Sequence, residues 1–194
     1  MEPSSPMSAA HPPSLGSDHQ GDSPTEARRY AGIYVYVGTD AERARVQAAV
    51  DTATEGMIGK GIASHELMKR SEIRPSYSIS FDENGDVSVQ TPGYPSETSP
   101  LNGTEVKLTT KYGDVVENSQ QFVDGALLQR GRTNDGSGST QFRLQSDGNT
   151  LLVTRVSGSP KLPRPVEFTL TYVRHPQPLE SHDGDPTGQP SPAH

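Results

Sequence analysis

Between Arg74 and Tyr172 the chain is cut into short segments by a regular series of turns that carry glycine or an asparagine–glycine pair. Asp82-Glu83-Asn84-Gly85-Asp86, Pro100-Leu101-Asn102-Gly103, Val123-Asp124-Gly125 and Ser146-Asp147-Gly148-Asn149 each place a residue tolerant of positive φ where a hairpin needs one. A segment of this length between such turns is too short for a stable helix but suits a strand. The last segment states the period openly. Val166, Phe168, Leu170 and Tyr172 fall on one face, and Glu167, Thr169 and Thr171 on the other, as in a strand with one side in a core.

The remaining strands predicted in this way are Ser76 to Phe81, Val87 to Thr91, a short one near Tyr94 to Thr98, Thr104 to Thr110, Val115 to Phe122, Ala126 to Arg130, Ser139 to Gln145 and Thr150 to Val156. Upstream, Tyr30 to Val37 is rich in the aromatic and β-branched residues that favour a pleated surface. Thr39-Asp40-Ala41-Glu42 has the spacing of a capping box, which predicts a helix from about Asp40. Along it Val46, Val50, Ala53 and Met57 share a face, leaving Glu42, Arg43, Arg45, Gln47 and Asp51 for water. Gly56, Gly59 and Gly61 interrupt, and a second short helix runs from about Ile62 to Arg70 before Pro75 forces extension. The order is one strand, a helical pair, then strands only. About ten strands joined mostly by hairpins make a meander, and closing the meander into an up-and-down barrel removes its edges. The fold class expected is therefore mainly β: a closed antiparallel barrel with a helix-turn-helix lid between its first and second strands.

With 19 glycines, 17 prolines and only 30% hydrophobic residues, part of the 194-residue chain is not expected to fold. Residues 1–28 and 175–194 lack an apolar period and read as disordered tails around a domain spanning 29–174, because ordering costs roughly 1 to 2 kcal/mol per residue. A formal charge of -7 argues against nucleic acid and against electrostatic capture by an anionic membrane. The absence of cysteine removes disulfides, thiolate metal sites and a thiol nucleophile, and fits a reducing compartment. No stretch approaches the roughly 20 apolar residues of a membrane helix, and Met1 to Pro6 has neither a basic start nor an apolar run, so cytoplasmic residence is expected.

The order of elements, together with Tyr30-Ala31-Gly32-Ile33-Tyr34, Asn84-Gly85-Asp86, Asp124-Gly125-Ala126-Leu127-Leu128-Gln129, Asp147-Gly148-Asn149-Thr150-Leu151 and Thr169-Leu170-Thr171-Tyr172-Val173-Arg174, resembles the fatty-acid-binding-protein branch of the calycins, relatives of the lipocalins. The stretch from Asp147 to Arg174, including Ser159-Pro160-Lys161-Leu162-Pro163-Arg164-Pro165, also resembles small uncharacterised bacterial proteins. The resemblance implies a barrel whose cavity, beneath a helical lid, holds a fatty acid, retinoid, bile acid or similar amphiphile without catalysis. It also implies a carboxylate anchor, an arginine two residues before a tyrosine in the last strand. Here Tyr172 matches the tyrosine, but Leu170 stands at the arginine position, so an ionised carboxylate would lack its bidentate partner there.

Counting by twos from Leu151 through Val153 turns Arg155 inward, and Arg130 shares a face with Ala126 and Leu128, whereas Arg143 alternates with Phe142 and Leu144 and should face water. Candidate ligand-binding residues are thus Tyr34, Tyr36, Tyr77, Phe142, Arg155, Phe168, Leu170 and Tyr172, each equally compatible with plain core packing. Asp82, Asn84 and Asp86 lack the glycine and closing glutamate of a calcium loop and read as a hairpin turn, as does Asn102-Gly103-Thr104. Gly59-Lys60-Gly61 lacks the flanks of a phosphate loop, and Ser137 lacks the strand-to-helix setting of a nucleophile elbow. No metal site, cofactor or catalytic residue is expected. Two rivals to a non-catalytic carrier of a small hydrophobic ligand stay open: a haem-binding or enzymatic calycin using His65, and a filled barrel serving as a protein-interaction module.

Overall fold

The structure, a computed structural model, describes residues 24–110, 113 and 115–176. A short helix α1 (Pro24–Ala27) and a 3-10 turn (Arg28–Tyr30) lead into β1 (Gly32–Tyr36). Helices α2 (Asp40–Ala53) and α3 (Lys60–Arg70) follow. The rest is β2 (Ser76–Phe81), β3 (Val87–Gln90), β4 (Glu97–Ser99), β5 (Val106–Thr109), β6 (Val115–Val123), β7 (Ala126–Thr133), β8 (Gly136–Leu144), β9 (Thr150–Gly158) and β10 (Val166–Arg174). All ten strands form one sheet in the order β4-β3-β2-β1-β10-β9-β8-β7-β6-β5, every pairing antiparallel.

The first and last strands pair as a barrel requires, with Tyr36 opposite Tyr172 and Tyr34 opposite Arg174. At the other seam β4 and β5 share no ladder, and the barrel is drawn together through β6. Gly103 N donates to Gln120 O at 2.8 Å, an isolated bridge joins Asn102 to Gln121, and the Gln120 side chain donates to Glu97 O at 2.7 Å. The result is a nearly closed antiparallel barrel. Its turns form as their residues dictate: Asp82 Oδ1 accepts from the Asn84 and Asp86 amides, and Asp147 Oδ1 from those of Asn149 and Thr150.

One end is plugged. The tyrosine hydroxyl of Tyr30 donates to Gly125 O at 2.7 Å and accepts from the Leu144 amide at 2.9 Å, while its ring meets Phe122 edge-on. Arg174 straps the incoming segment there, donating to Gly148 O, to Ala31 O, and to Arg29 O at 2.7 Å. The described structure begins before the boundary at residue 28 expected from the sequence, with helix α1, whose last residue, Ala27, is buried. The remainder of both expected tails lies outside the described residues.

The helices sit at the opposite end. Val46, Val50 and Ala53 of α2 enter the core at the spacing expected, but the start of this helix departs from expectation. Thr39 is the N-cap residue, yet its side chain makes no capping bond. Glu42 is not left for water either. It is 8% exposed, accepting from Thr171 Oγ1 at 2.7 Å and from the Thr171 amide at 3.3 Å. Because β1 stops at Tyr36, β10 runs on without a strand partner on that side, and the Glu42 carboxylate satisfies the exposed edge amide. Smaller differences lie at strand ends. The short strand expected near 94–98 is β4 at Glu97–Ser99, and β8 begins at Gly136, three residues before the expected start.

Candidate functional site

Register determines what the barrel interior contains. Across five neighbouring strands the inward positions line up in rows perpendicular to the strands. Phe122, Leu127, Phe142, Val153 and Leu170 make an apolar row. One step toward the helices, Gln120, Gln129, Thr140, Arg155 and Phe168 make a row that is polar except at its last member. One further step, Asn118, Gly131, Gly138, Ser157 and Val166 make a row of mostly small side chains.

The half of the barrel below the polar row is packed. Tyr34, Phe142, Leu151, Val153, Leu170 and Tyr172 are fully buried. Tyr77 touches both Phe142 and Tyr172 edge-to-face with ring centroids 5.1 Å apart in each pair, and Tyr36 lies against Tyr172 at 5.5 Å. Two of the hydroxyls find backbone partners: Tyr34 donates to Tyr30 O at 3.0 Å and Tyr172 to Arg74 O at 2.9 Å. Burial pushes the Tyr34 hydroxyl up to about 12, with Arg174 opposing, and raises Tyr77 and Tyr172 as well. These tyrosines stay neutral at physiological pH.

The polar row is closed across the seam by β4. Gln120 donates to Glu97 O at 2.7 Å, and Gln129 Nε2 donates to Glu97 Oε2. Arg155 faces inward as its parity requires, over the ring of Phe168 at 5.6 Å, and donates to Arg70 O and Glu72 O at 3.1 and 2.9 Å. These carbonyls lie at the C-terminal end of α3, where a cation is favoured by the helix dipole. Arg74 stacks on Tyr94 with its guanidinium carbon 3.2 Å from the ring centroid. Burial lowers the Arg74 pKa, with Arg155 adding to the effect. Burial raises the Glu97 carboxyl, and the fields of Arg74 and Arg155 offset it in part.

A raised carboxyl has a definite consequence for stability. The unfolded chain releases the Glu97 proton at lower pH than the folded protein, so stability is gained as pH falls through the folded value and penalised above it. Glu97→Gln keeps an acceptor for Gln129 and removes the penalty. The variant is expected to melt about 2 to 4 °C higher than wild type at neutral pH, with the gap narrowing on acidification, as read by thermal denaturation across pH.

The two helices are held unequally. Helix α2 buries three apolar side chains, whereas α3 has no buried residue, leaning on the core only through half-buried Leu67 and Met68. His65 is on the exposed face of α3, and among the described residues no group of three or more acidic or histidine side chains is placed to hold a metal ion. Arg143 is exposed, as its parity predicts; Arg130 is exposed too, although it shares a face with the apolar Ala126 and Leu128, because the inward residues of β7 are Leu127 and Gln129. On the outside of β6 to β9, a groove of about 460 Å³ is lined by Ser119, Arg130, Arg132, Ser137, Ser139 and Val156 among others. No helix of the described residues is long and apolar enough to cross a membrane.

All eight candidate residues named from the sequence are inward-facing, but they divide between two levels. Arg155 and Phe168 belong to the polar row, while Tyr34, Phe142, Leu170 and Tyr172 lie in the packed half, with Tyr36 and Tyr77 against Tyr172. Sequence reasoning missed Glu97, Asn118, Gln120 and Gln129. In the segment from Val115 to Phe122 both faces carry polar residues, so alternation does not tell inside from outside. The only available signal was Phe122, whose parity is shared by Gln120 and Asn118.

No family model matches the chain, and no curated protein matches it, so the expected closeness to small bacterial proteins has no support in sequence. Solved structures do match in fold. An abundant heat soluble (SAHS) protein of Ramazzottius varieornatus aligns with a TM-score of 0.51 at 13% identity, over 76% of this chain and 96% of its own. Lipid binding protein 8 of Caenorhabditis elegans aligns at 0.49 and 14% identity, over 76% and 96%. Fatty-acid-binding protein 1 of Echinococcus granulosus aligns at 0.47 and 12%, over 75% and 97%. The chain has the fold of the fatty-acid-binding-protein-type calycin barrels.

Proposed function

We propose that this barrel binds a small hydrophobic or amphipathic molecule without chemical change, between the polar row and the helical lid. The observation that carries the reading is the polar row itself, a band of hydrogen-bonding side chains facing inward above an apolar floor. A core meant only to be filled has no need of such a band, because each buried polar group costs free energy unless it is partnered. Arg155, Phe168 and Tyr77 form the wall against which the ligand rests. Tyr34, Tyr36, Phe142, Leu170 and Tyr172 form the floor beneath. Helix α3, with no buried residue, is the element that yields on entry, and Arg155 holds its end when the site is shut. Binding draws on apolar burial, at about 25 cal/mol per Å², with the polar row fixing orientation. The names of the lipid- and fatty-acid-binding proteins that share the fold agree with this reading, and we extend it to a cytoplasmic carrier, a setting that suits a chain without cysteine.

Titration with dansyl-undecanoic acid tests it. Saturable, one-to-one brightening of the probe, together with a matching adduct in native mass spectrometry, is expected, and both should weaken in Phe168→Gln. An unchanged probe spectrum with no adduct would refute the reading. A second reading, a filled barrel acting as an interaction module, draws on the mutual packing of Tyr77, Phe142 and Tyr172 and on the outer groove over β6 to β9. It predicts that null result.

A further inference from the structure

The polar row also bears on what end group a ligand can carry. Gln120 is fully buried, and its Nε2 donates to Glu97 O at 2.7 Å with Val87 O at 3.4 Å. Both neighbours are carbonyls, which only accept, so the amide can face only one way. Its Oε1 is thereby left as a buried acceptor with no partner. Two residues earlier on the same inward face of β6, Asn118 is 2% exposed and its Nδ2 is a buried donor with no partner. On β4, two residues after the Glu97 whose carbonyl Gln120 holds and opposite Val87 in the β3–β4 ladder, Ser99 is 2% exposed and its Oγ is likewise unpartnered. An acceptor, a donor and a hydroxyl that can act as either are thus presented from the two strands of one seam.

We propose that the β4–β6 seam is the subsite for the polar end of the ligand, and that it takes an uncharged group with both a donor and an acceptor, a primary carboxamide or an alcohol, in preference to a carboxylate. The inference rests on the carrier reading above and specifies the chemistry of its ligand. An ionised carboxylate offers acceptors only. It could receive from Asn118 and Ser99 but would set a second oxygen lone pair against Gln120 Oε1. The nearby cations do not reverse this preference. Arg155 is held at the end of α3 by one N–H to Glu72 O and one to Arg70 O. Arg74, whose Nη1 also lacks a hydrogen-bond partner, lies stacked on Tyr94 and shares the site with the acidic Glu97. A carboxamide N–H to Gln120 Oε1 with its C=O to Asn118 Nδ2, or an alcohol doing both through one oxygen, leaves neither group unpaired.

The test compares hexadecanamide, hexadecanol and palmitate, which share one chain, against the full-length protein at neutral pH by native mass spectrometry and calorimetry. The amide and the alcohol are expected to bind about tenfold more tightly than palmitate. Gln120→Leu should erase that preference, because the acceptor that disfavours a carboxylate is gone, whereas Asn118→Leu should weaken all three ligands by removing the donor that each of them uses. Asn118→Leu should also raise the melting temperature of the ligand-free protein, since it removes a buried donor without a partner, so at least one informative variant stays folded. Palmitate binding as tightly as the amide, or a preference that survives Gln120→Leu, would overturn the proposal while leaving the carrier reading intact. If none of the three compounds binds, the carrier reading fails and takes this proposal with it.

Discussion

Replacing Phe142 with alanine should destabilise the protein by about 3 to 5 kcal/mol, the range for deleting a fully buried phenyl ring. Phe142 is 0% exposed, stands in the apolar row between Leu127 and Val153, and meets Tyr77 edge-to-face at 5.1 Å. Its removal leaves a void walled by strands on both sides, which the backbone ladders of β7 and β9 prevent from collapsing. Chemical denaturation should show a midpoint shifted far toward lower denaturant with an unchanged slope. A loss below about 1 kcal/mol would mean that the site is not packed in solution as described. Phe142→Leu should recover most of the loss, because the volume defect is then small.

The second large effect is expected at Arg174. Its guanidinium ties four groups at the plugged end: Gly148 O in the turn between β8 and β9, Ala31 O and Arg29 O in the entering segment, and the Tyr34 hydroxyl, with the charge 4.8 Å from the Tyr34 ring centroid. Arg174→Ala removes charge-assisted bonds, each of about 1.5 to 3 kcal/mol, and leaves several of their acceptors to find water at a partly buried site. A net cost of about 3 kcal/mol is expected, since part of that solvation is recovered. Hydrogen exchange should separate this variant from Phe142→Ala. With Arg174 gone, amides of 28–34 and the β8–β9 turn should lose protection first, ahead of global unfolding. Arg174→Lys should not rescue it, because one ammonium cannot span the same fork. The same contact explains Gly32. With φ at +149° and an ideal Cβ only 2.5 Å from Arg174 Nη1, this position has room for no side chain while the strap is in place.

How far the sequence alone reaches can be judged at particular positions. Asn84-Gly85, Asp124-Gly125 and Asp147-Gly148 announce their turns because positive φ is a local demand that few residues meet. The face of β10 could be read from Val166 to Tyr172 because burial and period agree along one strand. The inward turn of Arg155 followed from the same count. Glu42 shows where this way of reading ends. Its spacing from Thr39 promised a capping box, but the carboxylate goes to Thr171, 129 residues away in sequence, because an unpaired strand edge makes the greater demand. The polar row is a product of register. Gln120, Gln129, Thr140 and Arg155 come from four different strands, and nothing local marks them as neighbours.

The sequence by itself determined the kind of object this is: turns, strand period, the helical pair after the first strand, and so a meander that must hide its edges. Those features arise from backbone conformation and alternation, which act over a few residues. Only the tertiary structure decided which side chains share a level of the lumen, how the deep half is filled by Tyr34, Phe142 and Tyr172, and where Gln120, Asn118 and Ser99 are left with unanswered hydrogen bonds. Those follow from the stagger between strands, and a shift of one residue in any ladder would turn that strand's inner face outward.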